Sequence, residues 1–235
     1  MKYYSVTHQG KVRNNNEDAL ILGTSFCGVA DGMGGAQGGE VASGEASRIM
    51  TDFLTGQYPT ELNIIRAFHK ANRHIYQMAS ENPDLAGMGT TATVLWEMPY
   101  EMLLGHVGDS RCYLFREGVL TQMSSDHAMV AELIRNGSIT KEEALNSPFR
   151  HMITRAIGTE EALEVDTRFI TKQPGDVYLL CSDGLCGYVP DEKIEDVLKN
   201  HTGDEAVQAL LTLALDAGGK DNITIVLVCS EEEKA

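Results

Sequence analysis

The sequence predicts an α+β protein in which antiparallel sheets pack together beneath pairs of helices. Three observations carry this. Short, turn-bounded apolar runs come in blocks, so the regular βαβ alternation of a doubly wound sheet is missing. Two long segments that follow the first strands each put their apolar residues on one stripe at helical spacing. The turns between the central strands are too short to hold a crossover helix, which argues against parallel pairing.

Tyr3–Thr7, Ala19–Leu22 and Ser25–Ala30 read as strands. A glycine-rich turn, Asp31–Gly39, follows. Ala42, Ala46, Ile49, Met50, Phe53 and Leu54 then form one apolar stripe, the mark of a helix packed on a sheet. A second helix is predicted over Glu61–Ser80, with Ile65, Phe68, Ile75 and Met78 on one face and Thr60 as its N-cap. Thr90–Glu97, Glu101–Val107 and Arg111–Arg116 read as an antiparallel meander. Met129–Arg135 is a short helix stopped by Asn136-Gly137. Lys141–Arg155 is irregular and polar, with a break at Pro148. Glu164–Thr171 and Val177–Cys181 are strands, Asp191–Lys199 and Asp204–Asp216 helices, and Ile223–Cys229 a last, fully apolar strand. No internal repeat, low-complexity tract or Pro/Ser-rich linker interrupts the 235 residues, so residues 1–235 are expected to form one domain, frayed at Glu231–Ala235.

Composition excludes several function classes. The chain carries 19 Lys+Arg against 34 Asp+Glu, a net charge of −15. Nucleic-acid binders need a basic face to displace counterions, and so do proteins that bind anionic membrane. No stretch approaches the ~20 apolar residues of a membrane span, and Met1–Gly10 lacks a signal-peptide core. The five cysteines include no CxxC pair and lie mostly in apolar runs, as small buried hydrophobes in a reducing compartment do. A cytoplasmic protein is expected, and its two Asn-X-Ser/Thr sequons read as accidental.

Five acidic clusters share one context, a strand end or the turn beside it. They are Glu17-Asp18, Asp31-Gly32, Asp109 in Gly108-Asp109-Ser110, Asp183 in Ser182-Asp183-Gly184, and Asp221-Asn222. Any one alone is ordinary turn chemistry. Gathered together, the carboxylates would repel and could not all ionise, a conflict that divalent cations resolve. Oxygen-only donors select Mg²⁺ or Mn²⁺ over Zn²⁺. Two such ions about 4 Å apart can aim a hydroxide in line at phosphorus, and Arg13 can hold the phosphate oxygens as a fork.

These residues sit in a longer set. It comprises Gly10-Lys11-Val12-Arg13 through Asn16-Glu17-Asp18, Val29-Ala30-Asp31-Gly32-Met33-Gly34-Gly35, Gly39-Glu40-Val41-Ala42-Ser43 and Gly89-Thr90-Thr91-Ala92-Thr93. It continues with His106-Val107-Gly108-Asp109-Ser110-Arg111, Asp126-His127, Ile153-Thr154-Arg155-Ala156-Ile157-Gly158, Cys181-Ser182-Asp183-Gly184-Leu185 and Asp221-Asn222-Ile223-Thr224. In this order the set resembles the PPM, or type 2C, family of metal-dependent protein serine/threonine phosphatases in its bacterial form, over nearly the whole chain. The resemblance implies a four-layer αββα sandwich with two central antiparallel sheets and the metals at one end of both. It implies two to three Mn²⁺ or Mg²⁺ ions. Asp31 would bridge two metals, Gly32 would offer its carbonyl, and Asp183 and Asp221 would complete the first site. Glu17 would serve the second metal, with Asp18 in support. Asp109 with Asp183 would make a third site, and Arg13 would bind phosphate. Residues 126–155 would be a mobile flap. Implied partners are phosphorylated proteins, including a serine/threonine kinase, met by a monomer.

Two departures from the family pattern bear on mechanism. Met33 follows Asp-Gly where eukaryotic members often carry histidine, and Ala36 stands where many bacterial members have one. With no histidine in place, a metal-bound water is expected to protonate the leaving group. Direct attack by a hydroxide bridging the two ions is expected, without a phosphoenzyme, since the chain lacks a catalytic Cys, an activated Ser and a phospho-acceptor Asp signature.

Other readings of the same residues are weaker. Gln37 stands where G-x-G-x-x-G needs its last glycine, and no G-K-[ST] follows, which speaks against a nucleotide loop. No G-x-S-x-G elbow surrounds Ser182, which is expected to cap a turn. His69 and His74 suit a solvated helix face, and His106 and His151 suit core or flap hydrogen bonds. The ten methionines read as core filler. A non-catalytic phosphoprotein-binding module and a broad small-molecule phosphatase are the rival functions.

Overall fold

A computed structural model describes residues 2–34, 38–140, 143–144, 147–150 and 152–230. The expectations for Gly35, Ala36, Gln37, His151 and the 231–235 end, and part of those for 141–155, lie outside the described residues. Among the described residues, eleven strands form two antiparallel sheets. The first has the order β1(Lys2–His8), β11(Ile223–Cys229), β10(Val177–Cys181), β7(Arg111–Arg116), β8(Val119–Gln122). The second runs β2(Asp18–Leu22), β3(Phe26–Met33), β5(Ala92–Glu97), β6(Glu101–Val107), β9(Asp166–Thr171), with β4(Gly89–Thr90) paired to the end of β3.

The period of two along the strands sorts side chains between layers. Cys27 and Val29 of β3 meet Val226 and Val228 of β11, together with Leu95, Leu104, Leu114 and Leu180, in an apolar layer between the sheets. Ile223, Ile225 and Leu227 point the other way, onto the outer helices of the first sheet. A strand covered on both faces carries no polar alternation, and Ile223–Cys229 is apolar except for the buried Thr224, whose hydroxyl lies 2.8 Å from Thr7 Oγ1. Ala30, Val94, Trp96, Leu103 and Val107 face the helices α1(Gly38–Leu54) and α2(Glu61–Glu81). Thr60 caps α2 as expected, accepting from the Asn63 backbone N–H at 3.2 Å. After β7 and β8 come α3(Met129–Arg135) and, following β10, the four-residue turn of helix α4(Asp183–Cys186). α5(Asp191–Asn200) and α6(Gly203–Asp216) cover the first sheet, with Ile194, Leu198, Leu210 and Ala214 in its core. The layers read helix, sheet, sheet, helix, the predicted αββα sandwich. Among the described residues no helix is long and apolar enough to cross a membrane.

Three local expectations are corrected. The meander breaks after β6: β5 and β6 pair, but β7 belongs to the other sheet and pairs β10 and β8. Gly108, at a φ of +111° that suits only glycine, turns the chain from one sheet into the other. β3 runs on to Met33, so Asp31 lies within a strand and not in the turn after it. β8 was not anticipated, its four residues being too short and exposed to show a pattern.

Candidate active site

Asp31, Asp109, Asp183 and Asp221 line one open pocket of about 310 Å³, with Glu17, Gly32 and Arg13. Each arrives from a different stretch of the chain, two on elements and two in loops. Asp31 comes from β3, at the point where its ladder changes partner from β5 to β4. There Thr91 takes over: its backbone N–H donates to the Asp31 carbonyl at 2.9 Å, and its hydroxyl accepts from the Asp31 N–H at 3.0 Å. The same hydroxyl lies 2.8 Å from Ser110 Oγ, which ties Asp31 to the Asp109 crossover. Asp183 opens α4 directly after β10, and Asp221 precedes β11, the neighbouring strand.

Asn222 locks the loops together. Its side chain donates to the carbonyls of Gln9 (2.9 Å) and Asn15 (2.8 Å) and accepts from the Glu17 N–H (2.8 Å). Glu17 and Asp221 are thereby set from one residue. Arg13 Nη2 donates to Asp221 Oδ2 at 2.7 Å with 47% of the side chain exposed, a cation at the mouth of the pocket. Lys220 adds a second.

Asp18 differs from its neighbours. It does not line the pocket but is buried behind it, opposite Asp31 in the β2–β3 ladder. Its Oδ2 accepts from the Ser182 hydroxyl at 2.7 Å, and its Oδ1 is buried with no hydrogen-bond partner. Ser182 therefore does not cap a turn with its side chain. It occupies the N-cap position of α4 but spends its hydroxyl on Asp18 and on the Thr224 N–H, 3.0 Å away.

The electrostatics are those of buried carboxylates that repel one another. Burial pushes the Asp31 carboxyl well above the usual range, and the charges of Asp18, Asp183, Asp109 and Asp221 push it further. Asp183 is raised likewise, by burial and then by Asp109 and Asp221. Burial pushes Asp18 and Asp109 each up to about 6. The donor set at the pocket, the carboxylates of Glu17, Asp31, Asp109, Asp183 and Asp221, is all oxygen and suits hard divalent cations. Among the described residues no three acidic, His or Cys side chains form a protein-only metal cage. Mg²⁺-like ions do not need one, since they keep several waters and take only one or two carboxylates each.

No histidine lines the pocket among the described residues. His106 is buried, with Nδ1 2.9 Å from Thr93 Oγ1 and Nε2 3.1 Å from the Ser125 carbonyl, as expected of a core hydrogen-bonder. His127 has a positioning role that the sequence did not disclose. Its Nδ1 accepts from the Gly108 N–H at 3.0 Å, and its backbone N–H donates to the Gly108 carbonyl at 2.8 Å. Nε2 faces Asp166 Oδ2 at 3.1 Å, and Arg155 bridges the pair. The ring so fixes the glycine beside Asp109. We expect His127→Leu to cost about 2–3 kcal/mol in urea unfolding, because buried polar groups lose their partner. His127→Asn, whose Oδ1 can replace Nδ1 as the acceptor, should recover about 1 kcal/mol of that loss. Equal losses for both variants would refute the positioning role.

Of the predicted residues, Arg13, Glu17, Asp31, Gly32, Asp109, Asp183 and Asp221 meet in one pocket, and Asp18 stands behind them. Sequence reasoning missed the support given by Thr91, Ser110, Ser182, Asn222 and His127. Four of the five lie in the motif runs quoted above beside a named carboxylate, which was the available signal.

Two antiparallel sheets face to face beneath helix pairs, with a carboxylate pocket at one end of both, define a metal-dependent phosphatase. The family model described as Protein phosphatase 2C matches residues 10–217, and the chain belongs to that family. It is 39% identical to "Serine/threonine phosphatase stp" of Listeria monocytogenes, over 94% of this chain and 93% of that protein. It is also 39% identical to "Serine/threonine protein phosphatase PstP" of Mycobacterium tuberculosis, over 97% of this chain but 44% of that longer protein. The crystal structure of the M. tuberculosis phosphatase PstP/Ppp superposes with a TM-score of 0.92 at 37% identity, covering 99% of both chains. The catalytic domain of PstP in complex with 2 manganese ions superposes at 0.87, also at 37% identity, covering 96% of both chains.

Proposed function

We propose that this chain is a protein serine/threonine phosphatase that hydrolyses phosphoserine and phosphothreonine with two, and up to three, Mn²⁺ or Mg²⁺ ions. The observation that carries the reading is the meeting of four aspartates from four separate stretches of chain in one pocket, with Arg13 and Lys220 beside them. The complex of the related PstP catalytic domain with 2 manganese ions supports the choice of metal. Asp31 would serve both ions and Gly32 would offer its carbonyl, with Asp183 and Asp221 holding the first ion and Glu17 the second. Asp18 supports from behind, and Asp109 with Asp183 offers a third site. When bound, the ions supply a nucleophile from water at neutral pH and neutralise charge on the phosphoryl group.

The protein's own groups orient and exclude. Arg13, anchored on Asp221, presents donors to the phosphate oxygens at the mouth. Thr91 and Asn222 fix the carboxylates against their mutual repulsion. We read residues 1–235 as one catalytic domain with a flap over 126–155, acting as a monomer in the cytoplasm on phosphoproteins that include a serine/threonine kinase. The acidic balance and the bacterial phosphatase relatives support that setting.

The deciding experiment is phosphate release from a phosphothreonine peptide with Mn²⁺, with Mg²⁺ and with chelator. Metal-dependent release is expected. A folded, metal-loaded chain that binds the peptide without releasing phosphate would establish a binding module instead. Arg13→Ala is expected to raise KM about tenfold or more with a smaller change in kcat, and to weaken inhibition by inorganic phosphate in step. An unaltered phosphate inhibition constant would remove Arg13 from phosphate binding.

A further inference from the structure

A second cavity, of about 700 Å³, adjoins the catalytic pocket and shares Asp109, Asp183 and Tyr188 with it. α3 from the flap forms one wall, and the segment after α4 forms the other. Val130 and Ile134 of α3 and Val189 give it an apolar lining. Val130 and Ile134 belong to none of the three apolar clusters that make the core, although both are half-buried. α3 has no fully buried residue, so its apolar face is turned to this cleft instead of to a packed layer.

One pair of charges lining the cleft is already matched. Arg111 forms a two-pronged pair with Asp126, at 3.0 and 2.7 Å, and also donates to the Tyr113 hydroxyl at 2.9 Å. Such a pair offers little to a second phosphate or a charged side chain. Tyr188 divides the two cavities. Arg150 stacks over its ring at 5.0 Å and donates to the Gly187 carbonyl, which straps the flap to this wall. Lys220 lies 5.7 Å from the same ring on the catalytic side.

We propose that this groove seats an apolar side chain of the substrate polypeptide that flanks the phosphorylated residue. The inference rests on the phosphatase reading. A polypeptide whose phosphate lies in the catalytic pocket must leave it over one of the walls. The Tyr188 wall leads directly into an apolar cleft of the volume that ligand sites occupy, about 300–1,000 Å³. The phosphate then supplies the charge recognition, and the groove adds preference among phosphoproteins.

The test is a set of phosphothreonine peptides in which each of the four positions on either side is in turn Leu, Ala or Asp. They are assayed with the Mn²⁺-loaded full chain, with p-nitrophenyl phosphate for comparison. At one or more positions Leu is expected to exceed Ala by about tenfold in kcat/KM, the scale of one buried apolar side chain. Ile134→Lys is expected to lower the ratio of peptide to p-nitrophenyl phosphate kcat/KM by a similar factor and to erase the Leu preference. A flat peptide series with the wild-type chain overturns the proposal whether or not the variant folds. So does a loss of self-association in Ile134→Lys at an unchanged ratio, which would give the face to a second copy. No phosphate release from any substrate would instead remove the phosphatase reading itself.

Discussion

Asp31→Asn is expected to lower turnover by at least about 10²–10³-fold at saturating Mn²⁺, because no other carboxylate can take its central place. Asp31 sits where the charges of Asp18, Asp109, Asp183 and Asp221 all act on it. The same position makes it a liability when no metal is bound. Its carboxyl is raised on folding, so the folded chain holds that proton more tightly than the unfolded one. The metal-free fold therefore loses stability as pH climbs from about 4, where an unfolded aspartate ionises, through the raised folded value. Asparagine does not ionise. In chelator the variant should match the parent near pH 4 and exceed it in urea midpoint at pH 8. Comparing variant with parent matters, because His106, pushed down to about 4 by burial, contributes the opposite slope between pH 4 and its ordinary value. The comparison cancels that slope. Mn²⁺ should then stabilise the parent and do little for the variant. A variant less stable than the parent at every pH would contradict the account of a repulsive cluster awaiting cations.

Gly184→Ala is expected to cost about 3 kcal/mol or more and to abolish activity in whatever fraction folds. A Cβ there would lie 1.9 Å from the Asn222 carbonyl oxygen, far inside contact distance. Relief is blocked, since Asn222 is bound to Gln9, Asn15 and Glu17 at once. The glycine is needed for close approach and not for an unusual dihedral, as its φ is not positive. That approach brings Asp183 and Asp221 into one pocket. Denaturant unfolding and manganese titration read the two effects separately. A wild-type urea midpoint in Gly184→Ala would sink the steric argument.

Much of the fold was legible because its signals are local. Glu101–Val107, Arg111–Arg116, Met129–Arg135, Val177–Cys181 and Ile223–Cys229 were read from the sequence to their end residues. The two long helices showed stripes that survive any choice of partner. Which sheet a strand joins leaves no such trace. Arg111–Arg116 looks the same beside β6 as beside β10, and only the φ of Gly108 separates the two. The pocket carboxylates were legible because the chemistry needs that residue type. Their supports were not, since Thr91, Ser182 and His127 act through atoms that many threonines, serines and histidines also offer. Asp31 was expected in a turn because Asp-Gly favours turns. The pairing of Gly32 with Thr90 overrides that preference and carries β3 three residues further.

β1 and β11 lie side by side, Lys2 opposite Cys229 and His8 opposite Ile223. Arg13 meets Asp221 across 208 positions of sequence. During synthesis the ribosome releases the amino-terminal half of the pocket first, and those carboxylates must wait for β11 to emerge. Contacts so distant in sequence form late and slowly. The pocket is thus incomplete until β11 has been made, and the enzyme switches on only when that strand pairs with β1.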